Sequence, residues 1–229
     1  MSKAEHPQML AKSEAPRSNK AKLAQERSRE TRRRIVKAAI KLWTGRGFDT
    51  GFDITTVDEI AEGAEVSRAT VYYYFPKKED ILREMAWVTA DEIYECALRS
   101  MMNRQSVDEV LDDVIVQLGT KVSRSSAAAV NRMLQVRHSD SVDLDRDLAT
   151  GGLTRAFSVV IAHAQDVEQL PREPGAHELA EMVSSLCMGA ISKWSIKPDF
   201  DLVDLLRRRG RLVLAGARAF EQADQDGPG

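Results

Sequence analysis

The sequence predicts an all-α fold. Apolar residues recur at intervals of three and four through most of its 229 residues, and we find neither a strand-like run nor an internal repeat. Helix start and stop signals divide this pattern into about nine helices. We therefore expect an N-terminal three-helix head containing a helix-turn-helix, followed by an antiparallel helical bundle.

The charge is distributed unevenly along the chain. The apolar content of 43% and the charged content of 30% are ordinary for a globular protein, and the formal net charge is only −2. Residues 1–83, however, hold 17 Lys+Arg and 12 Asp+Glu, a net +5, and the remainder carries −7. A basic first third suggests that this part meets a polyanion, although chance asymmetry is the alternative.

Other function classes find little support. The two cysteines, Cys96 and Cys187, lie in apolar helical patterns without metal-ligand spacing, and we expect free thiols in a reducing cytoplasm. There is no apolar leader and no run long enough to span a membrane. Nucleophile elbow, phosphate loop, dinucleotide fingerprint and zinc-binding motifs are absent, so no enzyme, cofactor or metal is expected.

The first elements form the predicted head. Residues 1–26 are polar and basic without an apolar face, which predicts a disordered arm that either follows DNA or is an inert tail. Helix 1 is expected over 28–45, because Ile35, Ala39 and Trp43 form one stripe before two glycines. An unusually long connection follows at 49–54.

The helix-turn-helix is predicted at 55–79. Thr56 with Glu59 forms a capping box, Ser67 caps the second helix, and Pro76 stops it. On that second helix Val71 and Phe75 share one face. The opposite face shows donors, small residues and aromatic rings, as a surface that meets the DNA major groove requires: Arg68, Ala69, Tyr72 and Tyr73.

The rest of the chain is predicted to be helical. A long helix from about Lys78 to Asn103 joins the head to a bundle, and it is stiff enough to transmit a movement. Further helices are expected at 107–123, 126–137, 144–170, 176–196 and 202–220. The expected domains are the arm 1–26, the helix-turn-helix domain 27–78, an effector-binding and dimerisation domain 79–222 and a disordered tail 223–229.

Residues 31–82 resemble the DNA-binding head of the TetR/AcrR family of bacterial transcription regulators. The resemblance is carried by Gly47-Phe48 after helix 1, by the run 55–61 (TTVDEIA) and by the run 66–82 (VSRATVYYYFPKKEDIL). It departs from the family at Glu65, where glycine is usual. Positive φ at this position would strain the turn between the two helices.

The resemblance implies roles for individual residues. Thr56, Thr70, Tyr72 and Lys78 would contact phosphates, with Ser67 capping the recognition helix beside them. Arg68, Ala69 and Tyr73 would face base edges.

The resemblance also implies an effector pocket in the bundle and a dimer surface on the last two helices. Its candidate effector residues are rich in Met and aromatic side chains, which hints at a hydrophobic or aromatic effector, although plain core or surface is the more frequent role for residues of each type: Trp87, Tyr94, Met101, Met102, Met133, Arg137, His138, Phe157 and His163. The candidate dimer residues follow two apolar stripes that also fit a monomeric core: Leu179, Met182, Val183, Leu186, Ala190, Trp194, Leu205, Leu212 and Phe220.

These observations predict a homodimeric, ligand-responsive transcription repressor in the cytoplasm. It would bind a palindromic operator on double-stranded DNA and be released by a small molecule. Two alternatives stay open: a constitutive or architectural DNA-binding dimer without an effector, and an enzyme that uses the bundle cavity.

Overall fold

The computed structural model describes residues 15–104, 106–139 and 152–225. These residues form ten α-helices and contain no strand. The helices are α1 (Ala15–Gly45), α2 (Phe48–Ile54), α3 (Val57–Gly63), α4 (Arg68–Tyr74), α5 (Lys78–Asn103), α6 (Val107–Ser123), α7 (Ala127–Ser139), α8 (Gly152–Asp166), α9 (Ala176–Ile196) and α10 (Leu202–Gln225). The all-α fold is confirmed, as are the limits predicted for α6 and α9.

Several boundaries differ from the prediction, among them the end of α8, which lies at Asp166 and not at residue 170. Helix α1 begins at Ala15, so the part of the expected arm that is described is helical, while residues 1–14 lie outside the described residues. The long connection after helix 1 is itself a helix, α2. Helix α10 continues to Gln225, and the predicted start of α8 at residue 144 falls outside the described range.

Helix α2 packs closely on the end of α1. Gly51 makes this possible, because a Cβ there would lie 2.7 Å from the Trp43 Cα. The ring of Phe52 then meets Trp43 with centroids 4.9 Å apart, and Phe48 meets it edge-on at 5.7 Å. Ile54 remains exposed. Aromatic packing therefore holds an element that the local pattern presents only as a connection.

The core of the head extends beyond the helix-turn-helix. Helices α1 to α4 bury Ile35, Trp43, Ile60, Val71 and Phe75 together with the first turns of α5. Ala129 and Val136 of α7 belong to the same cluster. The head and the bundle thus share hydrophobic contacts through two helices, α5 and α7.

The bundle core lies between α5, α6, α8, α9 and α10. Helix α9 packs on α7, α8 and α10, while α6 packs on α5 and α10. Phe157, Ile161, Cys187 and Leu206 are completely buried. Cys187 is a free thiol whose burial raises its pKa to about 12, and Cys96 is half-buried and also free. No described helix is long and apolar enough to cross a membrane.

The turn between α3 and α4 has a residue with positive φ at the position where the sequence departs from the family. Glu65 has a φ of 53°, and its N–H donates to the Glu62 carbonyl while the Val66 N–H reaches the Ala61 carbonyl. This is a Schellman arrangement, in which glycine is usual at the Glu65 position. The Arg34 guanidinium donates to the carbonyls of Ala64 and Glu65 and stabilises the turn.

Replacing Glu65 by glycine should stabilise the protein. A non-glycine residue in the left-handed region costs roughly 1–2 kcal/mol, part of which is offset by the greater freedom of glycine in the unfolded chain. We expect Glu65→Gly to raise the free energy of unfolding by about 0.5–1 kcal/mol, measured from the urea midpoint at unchanged slope. The control is Glu62→Gly inside α3, which should lower it by a similar amount. A lower urea midpoint for Glu65→Gly than for the wild type would contradict the inference that the positive φ of Glu65 strains the turn.

Candidate nucleic-acid interface

The start of α3 is held by a capping box. The Glu59 N–H donates to the Thr56 hydroxyl at 3.3 Å, and the Thr56 N–H donates back to the Glu59 carboxylate at 2.8 Å. Arg46 also donates to this carboxylate at 2.5 Å and, ahead of Thr56, lowers the pKa of Glu59 to about 2. Thr56 is exposed at the first turn of the helix, where a phosphate contact needs it.

Helix α4 is anchored on one side and open on the other. Ser67 caps it by accepting from the Thr70 N–H at 3.0 Å, and the two hydroxyls lie 2.8 Å apart. Val71 and Phe75 are buried in the head, whereas Tyr73 is 80% exposed. Thus the face predicted to meet DNA is exposed, and it includes Arg68, Ala69, Tyr72 and Tyr73.

Arg68 is held in place before any DNA contact. Its guanidinium donates to the Asp58 carboxylate at 3.0 Å and to the Tyr72 hydroxyl at 3.5 Å, and it lies 5.5 Å from the centre of the Tyr72 ring. The Tyr72 hydroxyl first and Asp58 second raise the pKa of Arg68. Asp58 and Arg46 had not been recognised, because contacts ten and thirteen residues apart leave no periodic signal.

The third tyrosine has a different role. Tyr74 is half-buried, packs against the head cluster and meets the Tyr73 ring edge-on with centroids 5.1 Å apart. Of the three consecutive tyrosines, this ring is therefore the structural one. Tyr74 can therefore orient Tyr73 while taking no part in the exposed face.

Lys78 does not occupy the position predicted for a phosphate contact. Its ammonium donates to the carbonyls of Phe52 at 2.7 Å, Thr55 at 3.1 Å and Asp53 at 3.2 Å. An ammonium has three N–H groups, so the end of α2 accounts for all of them. The nitrogen also lies 5.0 Å from the centre of the Phe52 ring. The neighbouring Lys77 is exposed instead.

Removing the Lys78 ammonium should therefore destabilise the head. Lys78→Met keeps the stem and leaves three carbonyls without their donor, and charged hydrogen bonds contribute about 1.5–3 kcal/mol. We expect the urea midpoint to fall by the equivalent of about 2 kcal/mol, with the salt dependence of DNA binding unchanged. Lys77→Met is the matched control and should leave stability within about 0.5 kcal/mol. An unchanged midpoint with a shallower salt dependence would restore the phosphate assignment.

The candidate effector residues do not form one cluster. Met102 is 76% exposed, Met133 packs in the head cluster, and Phe157 is fully buried in the bundle core. Trp87 is half-buried, and Tyr94 is half-buried beneath the guanidinium of Arg155, 3.8 Å from its ring centre. The side chains of Arg137 and His138 lie outside the described residues.

Met101 and His163 do lie together, at a small cleft between α5, α6 and α8. Its volume of about 20 Å³ is close to that of a single water molecule. Arg104 and Gln169 also line it. Within the described residues no group of His, Cys, Asp and Glu is arranged to hold a metal ion.

The candidate dimer residues divide into two groups. Leu179, Val183, Ala190 and Trp194 are buried in the protomer's own core, and Leu205 packs against it, so these five do not form a free surface. Met182 and Leu186 on α9, with Leu212 and Phe220 on α10, are exposed. Leu212 is 70% exposed and Gly216 has open space beside it.

Known proteins that are similar to this chain are helix-turn-helix regulators, in agreement with the exposed helix α4. Residues 35–85 match the family model described as "Bacterial regulatory proteins, tetR family". The chain is 26% identical over 192 residues to the HTH-type transcriptional regulator TtgR of Pseudomonas putida, covering 79% of this chain and 87% of that protein. It is 22% identical to the HTH-type transcriptional regulator AcrR of Shigella flexneri, covering 80% and 86%.

Solved structures share the fold. FadR of Thermus thermophilus, a TetR family transcriptional repressor in complex with lauroyl-CoA, has a TM-score of 0.68 at 24% identity over 81% of this chain and 94% of that chain. FadR of Bacillus subtilis, in complex with stearoyl-CoA, has a TM-score of 0.61 at 19% identity, covering 80% and 97%. At these identities the likeness shows the fold alone.

The exposed recognition helix α4 on a head of helices α1 to α4, joined to a helical bundle, defines a helix-turn-helix DNA-binding transcription regulator. Its head matches the family model, and its curated relatives over most of the chain are transcriptional regulators. The head of this chain, residues 35–85, is a TetR-family head, and the chain is similar to TetR and AcrR-type regulators over most of its length.

Proposed function

We propose that this regulator is a homodimeric repressor that binds a palindromic operator and is released by a hydrophobic small molecule. The observation that carries the proposal is the outer face of α4, where Arg68, Tyr72 and Tyr73 are exposed above a buried Val71. A helix with donors and aromatic rings on its free face fits the major groove. Thr56, Ser67 and Thr70 lie at the helix starts, where phosphates are bound.

The dimer surface is the exposed apolar face of α9 and α10, formed by Met182, Leu186, Leu212 and Phe220. Exposed apolar side chains in a contiguous patch mark an interaction site more often than a solvated surface. Ala215 and Gly216 lie on the same exposed side of α10 and permit close approach of a second helix. A two-fold dimer would place two α4 helices for two half-sites of an operator.

The effector would enter the bundle beside α5. The cleft at Met101 and His163 is too small for a drug-sized ligand, so binding would widen the space between α5, α6 and α8. Helix α5 buries Ile93 and Ala97 in the bundle and Ile81 and Leu82 in the head. A displacement of α5 in the bundle would therefore move both heads and change their spacing.

A hydrophobic effector is supported by proteins of the same fold that carry such ligands. Two FadR proteins were solved with lauroyl-CoA and stearoyl-CoA, and SmeT, with a TM-score of 0.54 at 20% identity, was solved with triclosan. The alternative of a constitutive DNA-binding dimer needs the same head but no response to a ligand.

The test is binding of the full-length protein to the DNA upstream of its own gene, with and without a ligand. We expect sequence-specific binding to that DNA over a shuffled duplex of equal composition. Lauroyl-CoA, stearoyl-CoA and triclosan serve as probes, with coenzyme A as the control for the acyl chain. Release by one of them supports the repressor. Specific binding that no probe and no wider metabolite panel changes would favour the constitutive dimer, and no specific binding would refute both.

A further inference from the structure

Asp58 presents a carboxylate on the surface that is proposed to meet DNA. It lies in the first turn of α3, and its two carboxylate oxygens are 3.0 Å and 3.3 Å from Nη1 of Arg68. Both side chains are more than half exposed, and an ion pair of this kind contributes little to the stability of a fold. A negative charge at this place also repels phosphates. Neither stability nor general attraction to DNA therefore accounts for a carboxylate here.

The contacts of Arg68 leave one edge of its guanidinium open. Asp58 engages Nη1, and the Tyr72 hydroxyl lies 3.5 Å from Nη2, at the long limit of a hydrogen bond. Nε has no acceptor among the described residues. Nε and Nη2 together form a fork that can donate to two acceptors at once. The carboxylate at one end and the Tyr72 ring, 5.5 Å from the guanidinium carbon, restrict the direction of this fork before DNA binds.

A fork of two donors selects one base in the major groove. Guanine offers two acceptors there, N7 and O6, whereas adenine offers N7 beside a donor amino group. Cytosine offers a donor amino group, and thymine a single acceptor. A phosphate also accepts two donors, so an unrestrained arginine can bind the backbone instead of a base. The Asp58 carboxylate opposes that alternative, because it holds the guanidinium and places a negative charge close to the phosphates.

We propose that Asp58 is a specificity-determining residue of the operator contact, which directs the open edge of Arg68 to O6 and N7 of one guanine in each half-site. This inference rests on the proposed DNA-binding function and names the base that Arg68 reads. Asp58 touches no base in this arrangement and acts through Arg68, with the Tyr72 ring as a support. It lowers the affinity for other sequences more than the affinity for the operator, which is how a repulsive group raises specificity.

The test replaces single guanines in the upstream DNA that the protein binds. In 7-deazaguanine the N7 acceptor is missing, whereas inosine keeps O6 and N7 and lacks only the minor-groove amino group. We expect one guanine position at which 7-deazaguanine in both half-sites lowers the affinity roughly tenfold. Inosine at the same position should leave the affinity unchanged. The affinity for the guanine duplex divided by that for the 7-deazaguanine duplex is the guanine ratio.

Three variants separate positioning from a structural role. Arg68→Ala should lower the guanine ratio to about 1, since no donor remains. Asp58→Ala should lower the ratio to about 3 or less while the affinity for the guanine duplex is kept or rises, because the freed guanidinium can bind a phosphate instead. Glu62→Ala is the matched control, because it removes the same charge from an exposed position of α3. It should keep the wild-type ratio, and thermal melting checks that each variant is folded.

Two results with the wild-type protein would overturn the inference: no guanine at which 7-deazaguanine lowers the affinity, or an equal loss with inosine. An Asp58→Ala protein that keeps the wild-type guanine ratio, at whatever overall affinity, would overturn it too, because Asp58 would then only brace α4 against α3. A wild-type protein that binds no specific site in the upstream DNA would instead refute the proposed function.

Discussion

A Leu212→Asp variant is expected to be monomeric and to bind the operator more than about 100-fold more weakly than the wild type. Leu212 is 70% exposed on α10, so the substitution removes no contact in the protomer's core. In a dimer, the same position would bury an unpaired carboxylate in an apolar surface, which costs several kcal/mol. A monomer also has only one head, so it loses the binding of the second head to the second half-site. That loss alone lowers the operator affinity by about 100-fold or more.

Sedimentation equilibrium measures the molecular mass and so distinguishes a monomer from a dimer. A fluorescence titration with operator DNA measures the affinity of the protein for the operator. Met102→Asp is the control, because Met102 is exposed to a similar degree on a different helix, α5. It should leave the mass and the affinity unchanged. A Leu212→Asp protein that stays dimeric would place the dimer surface elsewhere.

Arg68→Ala is expected to reduce operator affinity by roughly 30-fold or more and to relax the preference at one base position of each half-site. A side chain that donates to a base edge contributes about 1–3 kcal/mol, and a dimer loses it twice. Arg68 is exposed and held by Asp58 and Tyr72, so its removal should leave the fold intact. Titration of the protein against operators with single base changes measures both the loss of affinity and the relaxed base preference.

Asp58→Ala separates recognition from a structural role. If Arg68 only braces α4 against α3, the loss of either partner of this ion pair should weaken DNA binding equally. If Arg68 contacts a base, Asp58→Ala should keep or strengthen binding, because it frees the guanidinium and removes a negative charge near the phosphates. Arg172→Ala in the bundle controls for the loss of one positive charge.

Local sequence signals were sufficient for most of the helices and for the side of α4 that is buried. The capping box at Thr56, the Ser67 cap and the spacing of Val71 and Phe75 predicted which side of α4 is buried, and the structure agrees. These signals work because they act within one or two helical turns. The sequence marked Glu65 as a departure at one turn position, and the structure supplied its positive φ.

The dimer surface shows where that reasoning stops. Leu179 and Met182 belong to one apolar stripe on α9, yet the first faces the protomer's core and the second faces outward. A helix that is apolar over a wide arc has the same periodicity whether it meets its own core or a partner. The effector candidates show the same ambiguity, since Met133 and Phe157 have the same apolar character and pack in two different cores.

By itself, the sequence determined an all-helical regulator with a TetR-type head and an exposed recognition helix, because short-range caps and periodicity encode each of these. Only the tertiary structure decided that Lys78 caps α2 and that Arg34 holds the turn at Glu65. It also decided which half of each apolar stripe remains free. These contacts join residues 26 to 31 positions apart, and local pattern carries no information about which distant groups the folded chain brings together.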